Sequence, residues 1–231
     1  MRLSTGPEFL ESVANDPRVF PWVSASPEPV SLSAIWPTCI GVEFDTGGFL
    51  FQKLGAACYE VHTLFLPKSR GVLDCARVAA SFMFCATECE EILTKVPVNN
   101  IAARRLTEKM GFTKAFSRRA AFGAQDVDYY RLPLTGWMFH ESRLAEVGHE
   151  FHIRLETSGV EHTKHEDDAH ERAVGCAMAI AKAGQLGKAQ RIYNEWALFA
   201  GYEPAVQIDD TTFSVGAMRL RFRDGGYELC Q

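Results

Sequence analysis

No stretch of this chain approaches the ~18 uninterrupted apolar residues that a membrane-spanning helix needs, so no membrane partner is expected. No secretory leader is apparent at the N-terminus either. Positive charge is not in excess: 24 Lys and Arg stand against 29 Asp and Glu, a net charge of -5. That balance counts against broad nucleic-acid binding and leaves room only for a local basic groove. The seven cysteines (Cys39, Cys58, Cys75, Cys85, Cys89, Cys176 and Cys230) cannot all pair, and most lie inside apolar segments. A reduced intracellular setting fits such usage, with the thiols as buried apolar groups. Cys85 and Cys89, four apart, are expected on one helix face. No closed zinc spacing is present: His162, His165 and His170 with Asp167 and Asp168 read as a solvated linker entering a helix, and no metal is expected. No internal repeat is visible.

What is present suits one larger domain, residues 1–135, and a smaller appendage, residues 136–231. Phe9, Leu10 and Val13 form an apolar stripe that predicts a first helix, with Thr5 as its cap, Pro7 in its first turn and an end near Asn15. The prolines that follow, from Asp16 to Pro29, favour extended structure and turns, with Phe20 and Trp22 read as plugs beneath a loop in preference to the lining of a cleft. Three short strands are then expected, Cys39 to Phe44, Gly48 to Lys53 and Ala57 to Leu66. The turns at Asp45-Thr-Gly-Gly48 and Leu54-Gly-Ala56 make them an antiparallel meander.

The third strand runs through a basic turn, Pro67-Lys-Ser-Arg-Gly71, into a helix expected to start at Asp74, a good cap residue. A strand from Ile92 to Val98 follows, as a right-handed strand–helix–strand crossover with a parallel pair. A helix from Ile101 to Met110 comes next, capped by Asn100, stopped by Gly111 and backed by Phe112. Strands at Thr113 to Phe122 and Asp126 to Leu132 complete the sheet. In the appendage, helices are expected at about Glu141 to Glu156, Asp167 to Ala183 and Gly187 to Ala200. Strands are expected at Ala205 to Ile208, Phe213 to Phe222 and Tyr227 to Leu229, with a turn at Asp224-Gly-Gly. The fold class is α/β, or α+β in layout: a mixed sheet flanked by helices, with a helical extension carrying a small β element.

Two runs carry a resemblance. Leu64-Phe-Leu-Pro-Lys-Ser-Arg-Gly71 is similar to the fourth strand and pyrophosphate loop of the GNAT superfamily of acyl-CoA-dependent N-acetyltransferases. Asn100, Ala103, Leu106, Glu108, Lys109, Gly111 and Phe112 match the N-x-x-A-x-x-L-Y-E-K-x-G-F signature of the helix after its fifth strand. The resemblance covers about residues 40 to 132. It implies an acetyl-CoA or other acyl-CoA cofactor, with its pyrophosphate on the loop and helix N-terminus and its pantetheine arm between the fourth and fifth strands. On this chain the cofactor residues would be Leu66, Arg70, Gly71, Val72, Leu73, Asp74, Asn100 and Ala103. Arg104 with Arg105, and Arg118 with Arg119, could form a basic rim or a plain solvated face.

Glu60 and His62 share one face of the strand by its two-residue period and border the expected cleft, so either could serve as general base. The family's loop places glycines where Leu73 and Cys75 stand here, and Asp74 brings a negative charge into the loop. Thr107 holds the place of the family's acidic tyrosine. The layout is also similar to divergent GNAT-like proteins of tailed bacteriophages. That likeness rests on Glu60-Val-His62 before the imperfect loop and on an extension ending near Phe199-Ala-Gly-Tyr202. Two functions are therefore expected as alternatives. One is a phage-encoded acyl-CoA-dependent N-acyltransferase in the host cytoplasm, acting on an amine of a small molecule or protein. The other is a non-catalytic virion protein of the same fold, with other virion proteins as partners.

Overall fold

The structure is a computed structural model and describes residues 1–141, 144, 148, 164–199, 201–215, 218–223 and 226–230. Two compact units divide the chain: Met1–Met83 with Glu88–Trp137, and Phe84–Thr87 with Met138–Gln231.

The first unit is built on a seven-stranded mixed sheet. Its strands are β1 (Arg2–Leu3), β2 (Cys39–Phe44), β3 (Gly47–Gly55), β4 (Cys58–Phe65), β5 (Glu91–Pro97), β6 (Thr113–Phe122) and β7 (Gln125–Pro133), in the order β1-β2-β3-β4-β5-β7-β6. The meander stands as expected, and β4 and β5, joined through the helix between them, form the expected parallel pair. β1 carries too short a pattern to be read from sequence. It is held by Glu43, a buried carboxylate that accepts from Arg2 Nε (2.8 Å) and Ser4 Oγ (2.7 Å).

Helix α1 (Glu8–Ala14) lays Leu10, Val13 and Ala14 onto Leu50 and Leu64 of the sheet. It begins behind Pro7, and no side chain caps it; Thr5 lies outside it. The segment expected to be extended instead forms a short helix, α2 (Phe20–Val23), because its proline falls in the first turn, where no amide is needed. There Phe20 is half-buried and Trp22 is 40% exposed, so the latter is not a plug.

Helix α3 (Val72–Ala86) buries Ala76, Ala79, Ala80 and Met83, the i, i+3, i+4, i+7 stripe of a helix packed on one side. It starts two residues before the expected Asp74. Cys89 lies beyond its end, so Cys85 and Cys89 do not share a helix face; both are buried. Burial, only partly opposed by Lys188, raises the Cys85 thiol to about 11, which keeps it a protonated apolar group.

Helix α4 (Ile101–Lys109) is capped as expected: Asn100 Oδ1 accepts from the Ala103 N–H at 3.1 Å. At its other end Gly111 takes φ +82°, Phe112 N–H bonds Thr107 O (3.2 Å) and Gly111 N–H bonds Glu108 O (3.1 Å). These are the two bonds of a Schellman stop, and the positive φ explains the glycine.

Helix α5 (Leu134–His140) replaces the plain connection expected there. In the second unit, α6 (Lys164–Lys182) and α7 (Leu186–Phe199) form a hairpin whose turn uses Gly184 in the same kind of stop. A four-stranded antiparallel sheet follows, β8 (Ala205–Asp209), β9 (Thr212–Val215), β10 (Met218–Arg223) and β11 (Gly226–Cys230), in the order β11-β10-β9-β8. The run expected as one strand from Phe213 to Phe222 is a hairpin, β9 and β10. Asn194 pairs with Ala205 as a strand neighbour would, accepting from its N–H (2.6 Å) and donating to its carbonyl (3.0 Å). At Gly175 a Cβ would lie 1.9 Å from the carbonyl oxygen of Leu144, so backbone meets backbone there. His170 is fully buried and stacks on Tyr202 at 3.7 Å, unlike the solvated residue expected. The expected helix over Glu141 to Glu156, His162 and the Asp224-Gly-Gly turn lie outside the described residues, apart from Glu141, Leu144, Gly148 and Gly226. Among the described residues no cluster could hold a metal, and no helix is long and apolar enough to cross a membrane.

Candidate active site at the parting of two strands

β4 and β5 pair over only three positions, Cys58 with Glu91, Tyr59 with Ile92 and Glu60 with Leu93. Both strands continue, β4 to Phe65 and β5 to Pro97, without pairing to each other. At the point of divergence the Thr94 hydroxyl, itself buried, donates to the carbonyl of Val61 (3.1 Å). A side chain thereby takes the place of the next backbone bond. A strand's N–H and C=O reverse direction at every residue, so those of Thr63 point the same way as Val61's. They open onto the gap with no β5 backbone opposite.

The gap leads along β4 to the basic turn. Lys68 and Gly71 both take positive φ, +69° each. The Leu66 amide is bound to Thr46 O (3.0 Å), and its carbonyl receives the Ser69 amide and hydroxyl. Leu66 therefore braces the turn from behind and does not present its amide outward. Cys75 N–H bonds Gly71 O at 3.0 Å, the first bond inside α3. The amides of Val72, Leu73 and Asp74 precede it and are the unbonded first turn of a 15-residue helix, where an anion meets N–H groups and the positive end of the dipole. Gly71 meets nothing within 4 Å where a Cβ would stand, so only its backbone angle calls for glycine. The Asp74 side chain is 79% exposed and turned to Arg77 (3.5 Å), away from the role of cap over these amides. Arg70 is exposed on the same turn. Burial and the neighbouring Asp74 raise the Cys75 thiol, which excludes it as a thiolate nucleophile at neutral pH.

Glu60 is buried beside the divergence, with Lys95 Nζ at 2.7 Å and His62 Nε2 at 3.7 Å. His62 keeps 39% of its side chain exposed. Burial pulls its pKa below 6.5; Glu60 acts in the opposite sense, and Lys95 adds to the fall. The imidazole is therefore neutral at pH 7 and able to accept a proton. Lys95 was not expected at the site, although its spacing from Leu93 puts it on the same strand face as Glu60.

On α4, the Asn100 side chain and the Ala103 amide are bonded to each other. The Thr107 hydroxyl donates to the Ala103 carbonyl at 2.9 Å, so its proton is engaged within the helix. These contacts organise α4 and engage the Ala103 amide and the Thr107 hydroxyl within it. Asp128 is the buried anchor beside them. Burial opposes its ionisation, but bonds from Lys114 (2.6 Å) and Ser117 (2.7 Å) prevail and hold its pKa low, with Arg104 at 3.9 Å. Arg104 is thus drawn to Asp128; the other arginines of the expected rim, Arg105, Arg118 and Arg119, are exposed.

On the face of the sheet that carries Glu60, a cavity of about 400 Å³ opens against β5, β7 and β6. Its lining includes Glu60, Thr94 and Lys95 from the divergence, and a stacked pair, Phe116 and Tyr129, with ring centres 4.4 Å apart. Sequence reading missed this pair because the β6–β7 register that joins it carries a bulge between Lys114 and Phe116.

No protein-family model and no curated protein sequence matches the chain. Solved structures do. The spermidine N-acetyltransferase from Vibrio cholerae in complex with CoA and spermine aligns with 59% of this chain and 97% of its own, at TM-score 0.50 and 17% identity. A GCN5-related N-acetyltransferase from Brucella melitensis aligns with 61% and 79%, at TM-score 0.46 and 13% identity. A GNAT-family acetyltransferase from Bacillus anthracis aligns with 42% and 66%, at TM-score 0.38 and 18% identity. In the shorter alignments the chain spans 63–68% of the matched protein. The Vibrio alignment takes in nearly the whole of that protein, and this chain has the fold of the GNAT N-acetyltransferases.

Proposed function

We propose that the chain is an acyl-CoA-dependent N-acyltransferase. The observation that carries this reading is the three-rung β4–β5 ladder, sealed by Thr94 and Val61 and opening toward the unbonded amides of Val72, Leu73 and Asp74. Those amides and Arg70 would hold the pyrophosphate, and the Thr63 backbone would pair with the pantetheine amides. When bound, acetyl-CoA supplies a thioester carbonyl open to attack. His62, kept neutral by burial, would take the proton from the attacking amine and pass it to the CoA thiolate that leaves as the thioester C–S bond breaks. Glu60, fixed by Lys95, would orient the imidazole through Oε1. The amine belongs to a small molecule or a protein.

A specific observation favours a second reading. Thr107 donates within its own helix, and Leu73 and Cys75 stand in the loop where the family has glycine. A degenerate loop of this kind would fit a phage-encoded, non-catalytic virion protein with other virion proteins as partners, whereas the enzyme would work in the host cytoplasm. Isothermal titration with acetyl-CoA separates the two. The enzyme predicts saturable binding that Arg70→Ala weakens; absence of binding at millimolar cofactor overturns it.

A further inference from the structure

The 400 Å³ cavity is lined by more than the catalytic candidates, and its chemistry is unusual for a site facing an amine. Strand register places Glu60, Leu93 and Arg131 in one row across β4, β5 and β7, and Lys95, Tyr129 and Phe116 in the next row across β5, β7 and β6. Both of its carboxylates are already matched: Lys95 Nζ lies 2.7 Å from Glu60, and Arg131 Nη2 lies 2.7 Å from Glu91. The wall between and above these pairs is apolar. Phe116 and Tyr129 stack at an interplanar angle of 14°, yet Phe116 is still 56% exposed, and Leu54 across the cavity is 52% exposed. A flat aromatic surface left open to water favours a planar apolar body that covers it.

We infer that this cavity is the acceptor site and that it takes a primary amine carried on a planar aromatic body, with the ring against Phe116 and Tyr129 and the amine toward Glu60 and His62. The assignment rests on the acyltransferase reading for the fate of that amine, but not for its binding. A polyamine is disfavoured on the same grounds. The single ammonium of an aromatic amine can face Glu60 Oε1, since Lys95 is held at Oε2, but each further ammonium of a polyamine would need another unmatched carboxylate, and the other one in the described lining, Glu91, is held by Arg131. A basic peptide is disfavoured likewise. The location follows from the strands themselves, since Glu60 and Thr94 line the cavity and also mark the point where β4 and β5 part. An amine held there is at the mouth of the gap.

The test uses the full chain and titrates tryptamine and spermidine separately, by calorimetry, with acetyl-CoA titrated in a parallel experiment. Tryptamine is expected to saturate one site while spermidine does not. Phe116→Ala is expected to weaken tryptamine about tenfold, the scale of a lost aromatic contact, with Phe116→Tyr restoring it and acetyl-CoA affinity unchanged in both. Because Phe116 is an exposed side chain, unaltered thermal unfolding of both variants is expected and checks that they remain folded. Acetyl-CoA binding with no tryptamine binding, or with spermidine preferred, overturns the acceptor assignment and leaves the acyltransferase reading standing. Tryptamine binding without acetyl-CoA binding overturns the acyltransferase reading and supports the aromatic site. If no amine binds and Phe116→Ala instead dissolves a dimer seen in sedimentation, the face is an interface between copies and the assignment is overturned.

Discussion

Thr94 and Val61 are joined by a side chain where two strands would otherwise be joined by backbone: the threonine hydroxyl lies 3.1 Å from the valine carbonyl. The bond is buried and sits at the end of the parallel ladder. Thr94→Val keeps the shape and removes the donor, leaving a buried carbonyl unsatisfied. A loss of about 1–2 kcal/mol is expected in denaturant titrations of the first unit, with Thr94→Ser close to the parent. A neutral result for Thr94→Val would remove the bond from any part in setting the gap.

Gly71 holds φ +69° with open space around its Cα. Gly71→Ala therefore meets no clash, and its cost is conformational, about 1–2 kcal/mol. Acetyl-CoA affinity should fall with it, because the first-turn amides of α3 are aimed by this residue. The measurement is calorimetric titration alongside thermal unfolding; an alanine variant of unchanged affinity would separate the glycine from the pyrophosphate site.

His62 gives a pH dependence whose sign follows from its burial. Its folded-state pKa lies below 6.5, so the folded chain binds fewer protons than the unfolded chain as pH falls past that value. Its contribution to stability is complete above about pH 6.5 and is lost as pH drops through 6.5 toward the folded pKa. Acyl transfer should hold its rate below pH 6.5 and decline only further into acid. NMR titration of the imidazole should give a midpoint under 6.5, and His62→Gln should remove the acid limb of the rate profile. A midpoint above 6.5 would show that the pull of Glu60 outweighs burial and Lys95.

Thr107 stands where the family has a tyrosine, and its proton is committed to Ala103. Thr107→Val should leave turnover at the parent value within about twofold, while Thr107→Tyr gives the direct comparison. A fall of a hundredfold or more, the scale of a lost general acid, would assign it the proton after all.

Much of the first unit was legible because its signals are local. Asn100 and Gly111 bracket a helix by capping chemistry alone, and the Asp45-Thr-Gly-Gly48 turn announces a hairpin. The site was legible as far as strand alternation reaches, which put Glu60 and His62 on one face. Non-local features were not. β1 exists because Glu43, distant in sequence, needs Arg2 and Ser4. Lys95 matters only because three rungs of parallel ladder bring it to Glu60. The amides of Leu66 and Ala103 are occupied by Thr46 and Asn100, partners that the family signature does not announce. His170 sits in a polar run whose composition suggests solvent; Tyr202, across the helical hairpin, buries it.

The shortness of the β4–β5 ladder has a mechanical consequence. A sheet joined by three rungs at one end behaves as two leaves on a hinge, β1 to β4 on one side and β5, β7 and β6 on the other. Any extended molecule with amide groups that enters between the leaves supplies the missing rungs and serves as a temporary strand. Occupancy would then be read out as stiffness: amide exchange in Thr63 and its neighbours should slow, and unfolding should shift upward with ligand concentration, as mass action requires of anything bound by the folded form alone.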